Sequence, residues 1–202
     1  MSSTRLVTTG LLLLGIIAAG LWLAADRDAP LEQALKLPEA RPLGAVALTD
    51  MHGRPMTAAD LRGDWHLLFF GFANCPDICP ITLQQLASAR RQLASAGVEP
   101  LPRILFISVD PARDTPEVLA DYAARFGDDV VAATGALDDL RELAGALGIY
   151  FEAAAGDGDD YEVSHSAAVL VLNPDAELAA VFPAPQATAA LVHDLPILTG
   201  SR

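Results

Sequence analysis

Two cysteines and a distant histidine are the residues whose types and spacing allow specific chemistry. Cys75 and Cys79 lie in the segment GFANCPDICP, between an apolar run typical of a buried strand and an amphipathic stretch typical of a helix. A spacing of four residues places both sulfurs on one helical face. Because amide N–H groups at a helix start stabilise negative charge, we expect these thiols to ionise more easily than a free cysteine.

The cysteine pair alone leaves four interpretations open: two inert core residues, a disulfide joining them, thiol–disulfide catalysis, or metal binding. His165 favours metal binding. It lies where an irregular segment enters the apolar run AAVLVL, and we expect that strand to neighbour the strand that leads to the cysteines. The other histidines, His52, His66 and His193, are predicted to lie at the surface.

Two thiolates and one imidazole suit copper. Thiolates favour Cu(I), imidazole accommodates Cu(II), and copper binds most tightly in the divalent series. A structural zinc site generally has four protein ligands, and no fourth ligand is evident. We therefore predict one copper ion, Cu(I) or Cu(II), held by Cys75, Cys79 and His165, with no other cofactor. The same two cysteines are the only candidates for a redox-active pair.

The order of predicted elements indicates an α/β fold. Apolar runs predict buried strands, and amphipathic stretches predict helices between them. A strand and its Asn-Pro-Asp turn then form a hairpin, followed by a terminal helix within residues 185–198. This order predicts a thioredoxin-like mixed sheet flanked by helices, spanning residues 43–202. We expect its first strand near residues 43–48 and a hairpin turn at residues 50–53.

The N-terminal residues predict a membrane anchor. Residues 6–25 carry no charge and match the length of a transmembrane helix, so residues 1–25 are interpreted as an anchor and residues 26–42 as a spacer. Arg5 precedes the apolar run, which favours a cytoplasmic N-terminus and a domain on the outer, periplasmic or intermembrane-space, side. A cleaved signal peptide is the alternative, but Trp22 and Leu23 are too large for the small-residue pattern that its best candidate cleavage site requires.

Composition excludes several classes of function. The 202 residues carry a net charge of −13 without a basic cluster, which argues against nucleic-acid binding. An apolar fraction of 52% excludes intrinsic disorder. Only three methionines are present, too few for a methionine-rich copper carrier.

Three segments resemble the SCO/SenC family of copper chaperones for cytochrome c oxidase assembly: GFANCPDICP, FISVDPARDTPEVL and the HSA that begins at His165. The resemblance implies a thioredoxin-like fold, a membrane anchor and a copper site made by Cys75, Cys79 and His165. It implies delivery of copper to cytochrome c oxidase subunit II, or reduction of the cysteines of that copper site, with a thiol reductant protein as a further partner. One departure is Ser164, where many members carry an aspartate that could orient the imidazole.

A binding and delivery protein is thus favoured over an enzyme. The alternative is a copper-independent thiol–disulfide oxidoreductase, although such enzymes usually place two residues, not three, between their cysteines. A peroxidase fits less well, since the sequence identifies no arginine placed to activate a cysteine. Asp77 and Asp110 are weaker candidates for tuning the local field; a helix-start and a loop-capping role are the alternatives.

Overall fold

The computed structural model describes residues 30–153 and 163–201. Its strands are β1 (Leu35–Pro42), β2 (Leu48–Asp50), β3 (Pro55–Met56), β4 (His66–Gly71), β5 (Arg103–Ser108), β6 (Val130–Thr134), β7 (Phe151–Ala153), β8 (Val163–His165), β9 (Val169–Leu172) and β10 (Glu177–Phe182). Its α-helices are α1 (Ile78–Ser95), α2 (Pro116–Ala124), α3 (Leu137–Ala146) and α4 (Thr188–Thr199), and a short 3-10 helix covers Ala58–Leu61.

Eight strands form one mixed sheet in the order β1-β10-β9-β4-β5-β6-β2-β3. The central strands β4, β5 and β6 are parallel, and the strands outside them pair antiparallel. Strands β7 and β8 form a separate two-stranded ribbon. The prediction of a mixed thioredoxin-like sheet flanked by helices is confirmed for the described residues.

The core surrounds β4 and β5. All six residues of β4 are buried, and so are five of the six in β5, because helices cover both faces of the parallel strands. Phe69, Phe70 and Phe106 are fully buried there. Continuous apolar runs are therefore the correct signature of these strands, and both are found where the sequence predicts them.

The pairing of β9 with β4 brings distant segments together. The two strands are antiparallel, with Phe69 opposite Val169. The start of β9 therefore lies beside the carboxyl end of β4. The segment after β4 holds Cys75, and the segment before β9 holds His165, so the expected neighbourhood of the two strands is confirmed.

Three predictions about local structure are wrong. Residues 35–42, interpreted as part of a spacer, form the edge strand β1, which pairs with β10. The first strand predicted near residues 43–48 begins only at Leu48, after Gly44 has adopted a positive φ of 79°. His66, predicted at the surface, is 5% exposed, because it is the first residue of the buried strand β4.

A buried aspartate attaches the chain ahead of β1 to the terminal helix. Asp194 of α4 is fully buried and accepts hydrogen bonds from the backbone N–H groups of Glu32, Gln33 and Ala34, each 2.8 Å long. The Gln33 side chain in turn donates to the Pro185 carbonyl. Residues from Glu32 onward thus belong to the compact domain, which begins earlier than the predicted residue 43.

The predicted anchor at residues 1–25 lies outside the described residues. Within the described ranges, none of the helices combines the length and the hydropathy that a bilayer-spanning segment needs.

Candidate metal centre

The cysteine segment connects β4 to α1. After Gly71 the chain turns, with the Cys75 N–H donating to the Phe72 carbonyl at 3.2 Å. Cys79 is the second residue of α1, and its N–H points at the Cys75 sulfur, 3.5 Å away. Both cysteines are free thiols; Cys79 is fully buried and Cys75 is partly exposed.

His165 completes a group of three potential metal ligands. It ends β8, and its Nε2 lies 3.2 Å from the Cys79 Sγ. One ligand atom from each of Cys75, Cys79 and His165 lies within 4.8 Å of the other two. Atoms that share one ion at about 2.0–2.3 Å lie within about 4.6 Å of each other, so a small adjustment would suffice to bind a metal. In the described part of the chain this is the only such group found, and it is the set predicted from the sequence.

The tautomer of His165 follows from its hydrogen bonds. Nδ1 lies 3.1 Å from the Ser166 carbonyl oxygen, which can only accept, so Nδ1 carries the proton. Nε2 then presents a lone pair to the cysteines, as a metal ligand must. The orientation that an acidic residue at position 164 could provide is supplied here by a backbone carbonyl, and Ser164 itself is exposed.

Aromatic rings fix the position of the imidazole. It meets Phe69 edge-on with centroids 5.8 Å apart, and Phe72 at 5.9 Å with perpendicular planes. Burial lowers the pKa of His165, which the Ser166 hydrogen bond only partly opposes, so the ring is neutral near pH 7.

The expectation that both thiols ionise easily is wrong for Cys79. Burial raises the pKa of the Cys79 thiol well above its ordinary value, and the hydrogen bond and charge of Cys75 raise it further. The favourable effect of a helix start, about 0.3–1 kcal/mol at a surface and up to about 2 kcal/mol at a partly buried site, is too small to offset this burial. In the metal-free protein Cys79 is therefore a neutral thiol.

The site opens to solvent through one cleft of about 530 Å³, whose lining includes Cys75, Asp77, Arg113, Ser164 and His165. Asp77 occupies the cap position before α1 and makes no capping hydrogen bond with its side chain. Arg113 lines the same cleft as Cys75. Its guanidinium lies 5.9 Å from the centroid of Phe72 and pairs with Asp110 at 2.5 Å.

Asp114, which was not predicted from the sequence, holds the backbone of the cysteine segment by a hydrogen bond. Its carboxylate accepts hydrogen bonds from the Ala73 N–H at 2.8 Å and the Ser108 hydroxyl at 2.5 Å. The residue is 1% exposed, and burial raises its pKa. A signal was present, since Asp114 follows the second parallel strand at the sheet edge where α/β folds place their sites. Asp110 is also buried, and its carboxylate forms an ion pair with Arg113.

Gly71 allows the close approach of Cys79 to the sheet. A Cβ at this position would lie 2.8 Å from the Cys79 Sγ and 2.8 Å from Phe106 Cε2. Only glycine therefore leaves room for the sulfur between the end of β4 and the Phe106 ring.

Comparison with known proteins decides the family. Residues 38–199 match the SCO1/SenC family. The chain belongs to this family. It is 40% identical to a putative copper-binding protein of Stutzerimonas stutzeri over 86% of both chains. It is also 40% identical to the human mitochondrial protein SCO2 homolog, over 85% of this chain but 66% of the human one.

A crystal structure of Arabidopsis thaliana ScoI with copper bound superposes with a TM-score of 0.70 at 29% identity, covering 75% of this chain and 94% of that one. The resemblance identified from the three segments is thereby confirmed. The thioredoxin-like α/β part of the predicted fold class is confirmed with it for the described residues.

Proposed function

We propose that this SCO1/SenC protein binds one copper ion, Cu(I) or Cu(II), through Cys75, Cys79 and His165. The observation that carries the proposal is the convergence of two free thiols and the lone pair of a neutral imidazole within 4.8 Å. The copper-bound state of the similar Arabidopsis protein supports the choice of metal. Soft sulfur ligands with one imidazole also match copper chemistry.

Differences in exposure suggest an order of binding. Cys75 borders the open cleft and is partly exposed, so it meets an incoming ion first. Cys79 must lose its proton before its sulfur binds, and the half-buried imidazole beside it already offers Nε2. Release of the ion reverses these steps, so Cys75 is the last ligand to let go of it and is also the one that a partner can reach. A three-residue site with one accessible sulfur suits transfer better than permanent storage.

The cellular role extends this proposal. As a membrane-anchored chaperone with its N-terminus in the cytoplasm and its domain on the outer side, the protein delivers copper to cytochrome c oxidase subunit II, or reduces the cysteines of that copper site. A thiol reductant protein keeps Cys75 and Cys79 reduced, because an oxidised pair cannot bind copper. The family membership and the apolar segment at residues 6–25 support this role.

Metal analysis of the reduced full-length chain, reconstituted without oxygen, tests the site. We expect close to one copper per chain, with X-ray absorption showing two sulfur neighbours and one nitrogen neighbour. Cys75→Ser, Cys79→Ser and His165→Ala should each weaken binding strongly. His52→Ala is the matched control, because that histidine is exposed in a turn. Unchanged copper affinity in His165→Ala would rule out the three-ligand site.

A second candidate function is copper-independent thiol–disulfide exchange. The free thiols of Cys75 and Cys79 lie close enough to form a disulfide after a small movement, and the partly exposed Cys75 can attack a substrate. Reduction of a disulfide substrate by the metal-free protein would depend on both cysteines and persist in His165→Ala. Delivery of copper would instead require all three residues.

A further inference from the structure

A buried histidine with an unused nitrogen lies at the end of β4 opposite to the cysteines. His66 is 5% exposed, and its Nδ1 lies 3.1 Å from the Asp64 carbonyl oxygen, which can only accept, so Nδ1 carries the proton. Nε2 therefore holds a lone pair, and among the described residues it has no hydrogen-bond partner. Burial lowers the pKa of His66, so the ring is neutral near pH 7. A buried acceptor without a partner in the fold is costly unless a donor from outside the chain reaches it.

His66 lines a cleft of about 330 Å³, a volume at the lower end of the range for small-molecule sites. In the register of the parallel strands, His66 lies opposite Arg103, and Leu105 lies opposite Val131. Because alternate residues of a strand share a face, these four side chains lie on one face of the sheet. The charge of Arg103 also lowers the pKa of His66, as expected for neighbours. The cleft thus combines an aliphatic surface with an imidazole and a guanidinium side by side.

The charged groups around the cleft are already paired. Asp50 forms an ion pair with Arg54 at 2.7 Å, and Arg103 pairs with Asp64 at 3.4 Å. An anionic ligand would have to compete with these carboxylates, and Asp60 adds a further negative charge to the lining. A cationic ligand would instead lie against two guanidinium groups. A neutral ligand with a hydrogen-bond donor avoids both costs and satisfies the imidazole.

We propose that this cleft binds a small neutral phenol, whose hydroxyl donates a hydrogen bond to Nε2 of His66 and accepts one from the Arg103 guanidinium. A hydroxyl can donate and accept through a single oxygen, which suits an acceptor and a donor that are neighbours. The aromatic ring then packs on Leu105 and Val131. Met56 of β3 also lines the cleft, and its thioether favours an aromatic ring over an aliphatic chain.

The cleft is separate from the copper site. Strand β4 runs from His66 at the cleft to Gly71, which lies against the Cys79 sulfur. Five residue steps of about 3.3 Å place the two ends of the strand roughly 16 Å apart. The phenol site therefore does not depend on copper binding.

The test compares four probes on the full-length chain by isothermal titration: phenol, fluorobenzene, benzoate and benzylamine. Fluorobenzene has nearly the same shape as phenol but no donor, and the other two probes carry a charge. We expect saturable binding of phenol with a Kd on the order of 1 mM or tighter. Fluorobenzene should bind about 5-fold more weakly because one hydrogen bond is lost, and both charged probes should bind more weakly than phenol.

His66→Phe removes the acceptor and keeps a ring, so phenol and fluorobenzene should bind this variant equally. His52→Phe is the matched control, because His52 is exposed in a turn and does not line the cleft; it should keep the preference for phenol. In the parent chain, the ¹⁵N resonance of His66 Nε2 should move with phenol and not with fluorobenzene. This last measurement needs no variant, so it tests the hydrogen bond independently of how His66→Phe folds.

Four results would each overturn the proposal: no saturable binding of phenol, equal affinities of phenol and fluorobenzene in the parent, tighter binding of benzoate or benzylamine, or a His66 Nε2 resonance that phenol leaves unmoved. None of them would bear on copper binding by the cysteines and His165, which is measured separately.

Discussion

Substitution of Gly71 by alanine tests the packing that holds Cys79 in place. The added methyl group would lie 2.8 Å from the Cys79 Sγ and from Phe106 Cε2, about 0.6 Å short of ordinary contact at 3.4 Å. Neither neighbour can easily withdraw: Phe106 is fully buried in β5, and Cys79 is fully buried in the first turn of α1. Overpacking of this kind typically costs about 1–3 kcal/mol of folding free energy.

The same shift should disturb the copper site. Metal ligands must be held within about 0.5 Å of the productive geometry. The methyl group demands a displacement of about that size from Cys79 or from Phe106. We therefore expect Gly71→Ala to lower the midpoint of urea unfolding and also to weaken copper binding by about 10-fold or more. Chelator competition on the reduced protein measures the second effect separately from the first.

Two other glycines provide matched controls. At Gly135 a Cβ would lie 2.9 Å from the Ala47 carbonyl oxygen, so Gly135→Ala should destabilise the fold at the end of β6, two strands away from β4. At Gly145, inside α3, a Cβ would meet nothing within 4 Å, so Gly145→Ala should stabilise the helix by up to about 1 kcal/mol. Equal losses of copper affinity in Gly71→Ala and Gly135→Ala would refute the steric argument, as would a Gly71→Ala protein that binds copper normally.

Two further predictions concern residues away from the metal. Burial lowers the pKa of His66 in the folded protein, so the unfolded chain takes up a proton first as the pH falls through about 6.5. The metal-free domain therefore loses stability below that pH, and this group accounts for at most about 1.4 kcal/mol per pH unit. Urea unfolding at pH 7.5 and 5.5 should show a smaller difference for His66→Gln than for the parent, whereas the exposed His52→Gln should behave as the parent; equal pH dependence in all three would contradict the assignment. Asp194→Ala removes the acceptor for three backbone N–H groups, so the segment ahead of β1 should become sensitive to limited proteolysis while copper stoichiometry stays near one. Resistance equal to that of the parent would show that β1 pairing alone holds the segment.

The central elements could be predicted from sequence because their patterns are strong. Strands β4 and β5 are continuous apolar runs, and α1 has an amphipathic pattern. Helix α2 has a clear start, where the Thr115 side chain accepts a hydrogen bond from the Val118 N–H. The grouping of Cys75, Cys79 and His165 followed from the expected pairing of β9 with the strand that leads to the cysteines, and the structure has that pairing.

Edge strand β1 could not be predicted because its evidence is not local. Its sequence, LKLPEARP, is polar and holds two prolines, and seven of its eight residues are exposed. Prolines and charges are usual at sheet edges, where one side of the backbone needs no partner. What holds this strand is pairing with β10, some 140 residues downstream, and the hydrogen bonds of Asp194 to the preceding segment. No pattern within residues 26–42 reports either interaction.

The protonation of the site shows why residue types alone do not determine reactivity. Position at a helix start predicted an easily ionised Cys79, but burial outweighs the helix dipole, whose effect at a surface amounts to about 0.3–1 kcal/mol. The result is a metal-free site in which the buried Cys79 and the half-buried His165 are both neutral. Binding a copper ion must therefore expel a proton from Cys79 and supply positive charge to hold the thiolate in an apolar setting. Such a site carries no charge until Cys79 loses its proton, so it gains a strong interaction only with a soft ion that can enter through Cys75 and displace that proton.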